Sequence, residues 1–261
     1  WMNVVVEEKR RGRVMAIYGI LVALGLALGP LMLQAVGVYG ARPFLVCAVL
    51  ALLVAVPLLP YWRTAPRIEH AEDSGYLAVV RGAPLAMLAG FSCGLGEQVA
   101  FSFLPVYAVG AGVSPETGAL WLSVFVIGNV ALQWPIGWLA DHADRRAVLA
   151  GCTLASAMLV VVLSQVPAQS LAVLGVIGLW GGLSFAIYPV GLALLGLKFG
   201  AGDMARANTA FSMLYIVGGL IGRPLTGAAM DAFGDPGLGW TLAVFYGGAA
   251  VAALLAFHRG R

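Results

Sequence analysis

Long apolar stretches, interrupted only where charges or turn residues cluster, divide the chain into eight spans near 14–36, 43–60, 83–109, 117–139, 147–166, 171–197, 208–230 and 239–257. A hydrocarbon core takes roughly 20 helical residues, and each stretch is of that order. Strands of a membrane barrel would be roughly 10 residues long with alternating polarity, a pattern these runs do not show. The hydrophobic pattern therefore predicts an all-α polytopic membrane protein with eight transmembrane helices.

The charges give the same topology independently. Alternate connections carry Lys9, Arg10, Arg11 and Arg13; Arg63, Arg67 and Arg81; Arg145 and Arg146; Lys198 and Arg206; and Arg259 and Arg261, which is thirteen of the fifteen basic residues. Arg42 lies in an opposite loop and Arg223 lies inside a span. Short loops rich in Lys and Arg stay on the cytoplasmic side. The expectation is a multi-pass protein of the cell inner membrane with both visible termini in the cytoplasm.

Composition agrees: 61% of residues are hydrophobic and 10% charged, with a mean hydropathy of +0.93, against about 25% charged in soluble domains. The net charge of +3 is spread over five loops as topology determinants, so no nucleic-acid partner is expected. Cys47, Cys93 and Cys152 sit inside spans without a CxxC pair and read as small packing residues. His70, His142 and His258 lie in loops or the tail without HExxH spacing, so no metal site or cofactor is expected.

A shift of 194 residues aligns Ala16 with Ala210, Gly25 with Gly219, Leu26 with Leu220 and Pro30 with Pro224. Each copy opens a span after a basic loop and closes on small residues and a proline. Five spans separate the two copies, so the repeating unit holds six. The opening Trp1-Met2-Asn3-Val4-Val5-Val6 reads as the end of an apolar segment. Four further spans upstream are therefore expected.

Three segments carry a family resemblance. Gly137-Trp138-Leu139-Ala140-Asp141-His142-Ala143-Asp144-Arg145-Arg146 is similar to the G-x-L-x-D-x-x-G-R-R/K loop of the major facilitator superfamily. Gly25-Leu26-Ala27-Leu28-Gly29-Pro30 resembles the glycine–proline element of its fifth helix, and Gly218-Gly219-Leu220-Ile221-Gly222-Arg223-Pro224 the equivalent in its eleventh. The resemblance implies a secondary active transporter that moves a small organic solute by alternating access, with twelve helices in two bundles. The visible chain would be helices five to twelve. Residues 1–62 would end an incomplete N-terminal bundle, 63–82 form a cytoplasmic linker, and 83–261 the C-terminal six-helix bundle. Two departures stand out. Asp144 occupies a position usually held by glycine, and Leu33 and Gln34 replace the usual glycines after Pro30.

The loop has its own chemistry. Asp141 stands at a helix end with Arg145 and Arg146 one turn on. A carboxylate there suits a helix N-terminus, where the macrodipole favours anions. The expectation is a gating latch of Gly137, Asp141, Arg145 and Arg146 with Arg11 and Arg13; the plain alternative is a loop that only sets topology.

Glu97 is the sharpest single residue. It lies about 21 Å from the basic end of its span, at about 1.5 Å per residue. Ionisable groups at such depth face the protein interior and mark function. Arg223, at similar depth, is its expected partner. Desolvation and a neighbouring arginine act on the protonation of a carboxylate in opposite senses, which suits proton coupling. A static Glu97–Arg223 pair and direct substrate contact are the alternatives. Gln98, Asn129, Gln133, Tyr188 and Tyr215 are further candidates for a cavity wall or for interhelical hydrogen bonds, and Pro189 is placed to kink the helix after Tyr188. Trp134, Trp138 and Trp180 would stack on a ligand or mark the membrane interface. Gly90/Gly94, Gly178/Gly182 and Gly218/Gly222 read as helix-packing pairs.

The runner-up class is a membrane-embedded enzyme or receptor, or an inactive fragment of a transporter. An enzyme needs a catalytic set inside the spans. Only one acidic residue lies well within one, with no histidine, and no GxxxxGK[ST] loop is present for ATP.

Overall fold

A computed structural model describes residues 21–58, apart from 23, 26 and 27, and residues 75–259. The chain divides into two compact units, residues 1–73 and 74–261. In the first unit α1 (28–36) and α2 (Arg42–Leu58) flank a turn in which Gly37 and Gly40 adopt positive φ. The expected span 43–60 coincides with α2, an apolar helix of 17 residues; the expected span 14–36 is described only from residue 21.

The second unit holds α3 (Tyr76–Gly82), α4 (Pro84–Gly110), α5 (Pro115–His142), α6 (Arg145–Leu163), α7 (Leu171–Gly196), α8 (Ala201–Phe233) and α9 (Pro236–Arg259). The helices α4 to α9 are six elements long and apolar enough to cross a membrane, and no strand occurs among the described residues. Their order and bounds follow the six expected spans from 83 to 257. The largest difference is α8, which starts at Ala201 rather than 208. Its first turns carry Asp203 and Arg206, paired at 3.6 Å. These two charges suit a helix projecting past the hydrocarbon, where a hydropathy criterion stops early. Residues 76–82, expected as linker, form the short helix α3.

Local chemistry sets the ends. Ser114 caps α5 by accepting the Thr117 N–H, with Pro115 at the first helical position and Glu116 in the first turn; proline and acid are both favoured there. Asp144 caps α6, its Oδ1 accepting the Arg146 N–H at 2.8 Å. Asp144 thus has a use in extended backbone, not the left-handed conformation for which a glycine would be kept. On the other face the turns after α4 and α8 use Gly112 and Gly234 at φ of 81° and 70°, which favours glycine.

Helix α4 packs against α8, α5 against α7, and α6 against α9. The first two pairs run parallel and meet backbone to backbone. A Cβ added to Gly94 would overlap the Tyr215 carbonyl, and one on Gly218 the Phe91 carbonyl. On the other pair, Gly128 lies on the Gly178 carbonyl and Gly181 on that of Phe125. Small residues that admit such close approach are how membrane helices associate without a hydrophobic driving force. The glycine pairs read from the sequence therefore act in packing, with Gly222 seated on Leu95 and Val99. Gly25 and Gly29, by contrast, face open space among the described residues.

Exchanging α4, α5 and α6 for α7, α8 and α9 maps these three helix pairs onto themselves, while α4 starts on the face where α7 ends. The bundle is thus two three-helix units related by a pseudo-two-fold axis lying across the helices. Its core is aromatic: Trp121, Phe125 and Trp180 are fully buried, with Phe125 and Trp180 edge to face at 4.8 Å. Trp180 is therefore a core residue. Trp134 and Trp138 are exposed at 77% and 53%, as expected of side chains at a lipid or interface boundary.

Candidate functional site

Glu97 sits in the middle of α4, 5% exposed. Two neutral donors hold its carboxylate. The Tyr215 hydroxyl on α8 donates to Oε2 at 2.7 Å, and the Cys93 thiol, one turn back on α4, donates to Oε1 at 2.9 Å. The Cys93 sulfur also lies 3.5 Å from the Ser184 carbonyl. Ser184 Oγ in turn bonds Tyr246 Oη at 2.6 Å. That phenol lies against Gly96, where a Cβ would overlap it. A polar path thus runs from Tyr215 through Glu97 and Cys93 to the backbone of α7, with Ser184 and Tyr246 just beyond.

On its other side the carboxylate borders a cavity of about 510 Å³ lined by Glu97, Asn129, Gln133, Phe185, Tyr188, Pro189, Ser212, Tyr215 and Ile216. Four helices build this wall. Asn129 and Gln133, four residues apart on α5, share one face. Tyr188 is held by edge-to-face contacts with Phe211 and Tyr215 at 5.0 and 5.6 Å, and Pro189 follows it inside α7. Three aromatic faces, two amides and a hydroxyl surround one acid. Such a set can stack on and hydrogen-bond an uncharged polar molecule, and it offers one site for a proton.

Five of the seven candidates read from the sequence converge here: Glu97, Asn129, Gln133, Tyr188 and Tyr215. Gln98 and Arg223 do not line this cavity. The expected Glu97–Arg223 pair is not formed; Arg223 donates to Gln98 Oε1 instead. Depth along the two helices was matched but azimuth was not, and one residue turns an α-helix by about 100°, which is the step from Glu97 to Gln98. Sequence reasoning also missed Cys93, Phe185, Ser212 and Ile216. Only Cys93 had a usable signal, its i, i+4 spacing to the acid.

The basic loop is arranged differently from the expected latch. Arg145 Nη1 donates to the Ala193 carbonyl at 3.0 Å, and Arg146 Nη1 to the Ala256 carbonyl at 2.9 Å. These carbonyls lie near the C-terminal ends of α7 and α9, where the helix dipole favours cations. The two arginines staple the start of α6 to both ends. Asp141 is exposed, with no hydrogen bond or ion pair among the described residues. His142 Nδ1 lies 2.8 Å from the Trp138 carbonyl and its ring stacks on that indole at 4.5 Å. A Cβ on Gly137 would meet open space. Arg11 and Arg13 lie outside the described residues, as do residues 63–74 of the expected linker. Among the described residues no cluster of His, Cys, Asp or Glu side chains is placed to hold a metal ion.

Comparison with known proteins puts the family match within this unit. The sequence profile described as Major Facilitator Superfamily matches residues 86–261. The chain is 31% identical over 165 residues to the uncharacterized MFS-type transporter YfkF of Bacillus subtilis (strain 168), a match over 60% of this chain and 42% of that protein. It is 27% identical over 236 residues to the uncharacterized MFS-type transporter YcaD of Escherichia coli (strain K12 / DH10B), over 87% of this chain and 59% of that protein. The chain thus spans about half the length of the curated relatives it matches. The crystal structure of the E. coli fucose:proton symporter FucP superposes with a TM-score of 0.59 at 21% identity, over 80% of this chain and 53% of that one.

Proposed function

This chain belongs to the Major Facilitator Superfamily, and on that premise we propose that it works as part of a secondary transporter that moves a small organic solute by alternating access, coupled to protons through Glu97. The protein is a multi-pass membrane protein of a transporter family rather than an enzyme. In this reading α4–α9 are the C-terminal bundle of a twelve-helix, two-bundle molecule, residues 1–62 carry the end of the other bundle as two further spans, and 63–82 link them. In this reading the visible ends of the chain are cytoplasmic, which the basic loops support, and the membrane is the inner one.

One observation carries the proposal: the only acid well inside a span among the described residues lies at the wall of a cavity shared with Asn129, Gln133, Tyr188 and Tyr215. Its donors are neutral, so a proton can join the carboxylate without stranding a counter-charge. Glu97 is also the one charged group of that wall, which favours an uncharged, hydroxylated or amphipathic solute. Inverted three-helix units with a site near the midplane suit alternating access. Asp141, free of partners among the described residues, is the group left to form a latch in another conformation.

The test is proton uptake into proteoliposomes loaded with a pH-sensitive dye, with a panel of neutral sugars that includes fucose. Solute-dependent uptake by the unsubstituted protein that disappears in Glu97→Gln supports the reading. Uptake that survives Glu97→Gln would falsify coupling at this residue while leaving the cavity in place.

A further inference from the structure

A second cavity, of about 600 Å³, opens at the face of the bundle that carries the basic loops. It lies at the start of α4, the start of α6 and the ends of α7 and α9. Leu85, Leu88, Leu194 and Leu255 supply apolar walls, and Arg146 and Lys198 supply charge. No carboxylate among the described residues lines it. The nearest acid in the loop, Asp144, is engaged in capping α6. Arg146 uses one guanidinium nitrogen on the Ala256 carbonyl and forms no ion pair among the described residues. The cavity therefore pairs two cations that no described acid compensates with a leucine-lined recess far larger than a small anion needs.

We propose that this cavity binds an acidic phospholipid from the adjoining leaflet, its phosphate at Arg146 and Lys198 and the first part of an acyl chain along the leucines. Charge complementarity points to the headgroup: two cations with no acid beside them among the described residues form an anion site, and basic pockets between membrane helices are the recognised place for acidic lipids. The apolar walls point to a lipid and not to an inorganic ion, which would leave those walls without a partner. The position adds a role. Arg146 holds α6 to α9 from the same wall, so a phosphate there would brace the end of the bundle whose loops carry the latch residues. Since none of the groups lining the midplane cavity is involved, the proposal stands whether or not Glu97 couples protons.

The experiment is native mass spectrometry of the full chain in detergent micelles, with palmitoyl-oleoyl phosphatidylglycerol and phosphatidylcholine of the same chains titrated separately, and thermal unfolding followed in parallel. Phosphatidylglycerol should bind in preference and raise Tm. Lys198→Gln should weaken that binding about fivefold, the effect of one basic residue near an acidic surface. Ala252 also lines the cavity, and Ala252→Phe, which fills the apolar wall without touching charge, should weaken binding at least as much. Equal binding of the two lipids would overturn the proposal, as would unsubstituted-like phosphatidylglycerol binding in both variants. A Tm rise with inorganic phosphate equal to that with phosphatidylglycerol would overturn the lipid as occupant and leave a bare anion site.

Discussion

Among the described residues, Glu97 and the arginines of the basic loop are both charges without counter-ions, and the bundle treats them in opposite ways. Glu97 is held by an O–H and an S–H, donors that remain neutral whatever the carboxylate does. Arg145 and Arg146 are held by backbone carbonyls at helix ends, acceptors fixed by the fold. A guanidinium does not lose its proton in a protein, so the arginine contacts are permanent fastenings. A carboxylate can gain one, so the Glu97 contacts admit two states. The comparison separates a part of the molecule suited to change from a part suited to hold.

The substitution expected to have the largest effect tests the first half of that contrast. One proton per solute permits about tenfold accumulation per pH unit, and Glu97→Gln should reduce pH-driven accumulation to none while the protein still folds; flux assays in proteoliposomes read both. If accumulation persists, the carboxylate belongs with the fastenings. Next is Arg145→Met, which keeps the stem and removes the bond to Ala193. A hydrogen bond to a charged group contributes about 2 kcal/mol, so Tm should fall clearly while the pH dependence of transport stays as it was. A changed pH profile in this variant would blur the division. Tyr215→Phe is smaller because the Cys93 thiol still serves the carboxylate: one of its two donors is lost, with about 1.5 kcal/mol of stability, and the pH profile of transport should move without loss of expression. Smallest is Gly137→Ala, whose added methyl meets open space within a helix and which should leave stability unchanged or raise it by up to about 1 kcal/mol by thermal unfolding. A large loss there would show that the loop needs its glycine for a conformation other than this one.

The helices of the second unit were legible because hydropathy and charge both report burial in lipid, and both change sharply at the same residues. Ends were less so where charges ride on a helix beyond the membrane, as at Asp203 and Arg206 in α8. The cavity was legible because a polar side chain is conspicuous in an apolar span: Glu97, Asn129, Gln133, Tyr188 and Tyr215 stand out for that reason. What pairs with what was not. Arg223 and Tyr215 lie on the same helix, and only the rotation of α8 against α4 decides which meets Glu97. That rotation is set by the contacts of Gly94, Gly218 and Gly222, whose register no single residue announces. Apolar members of the wall, such as Phe185 and Ile216, are indistinguishable in sequence from residues facing lipid. The roles of Arg145 and Arg146 were hidden for a related reason, since a backbone carbonyl acceptor leaves no trace in the sequence.

The backbone-on-backbone seams also bear on how this chain can diverge. At Gly94, Gly128, Gly181 and Gly218 a single methyl group would strike a carbonyl of the facing helix, so even the mildest replacement forces two helices apart. Overpacking of this kind costs about 1–3 kcal/mol, a sizeable share of a fold whose margin is about 5–15 kcal/mol. Relatives that drift freely on their lipid-facing sides should therefore stay anchored at these four positions, and a lineage that lost one would have to refit the opposing helix before it could lose another.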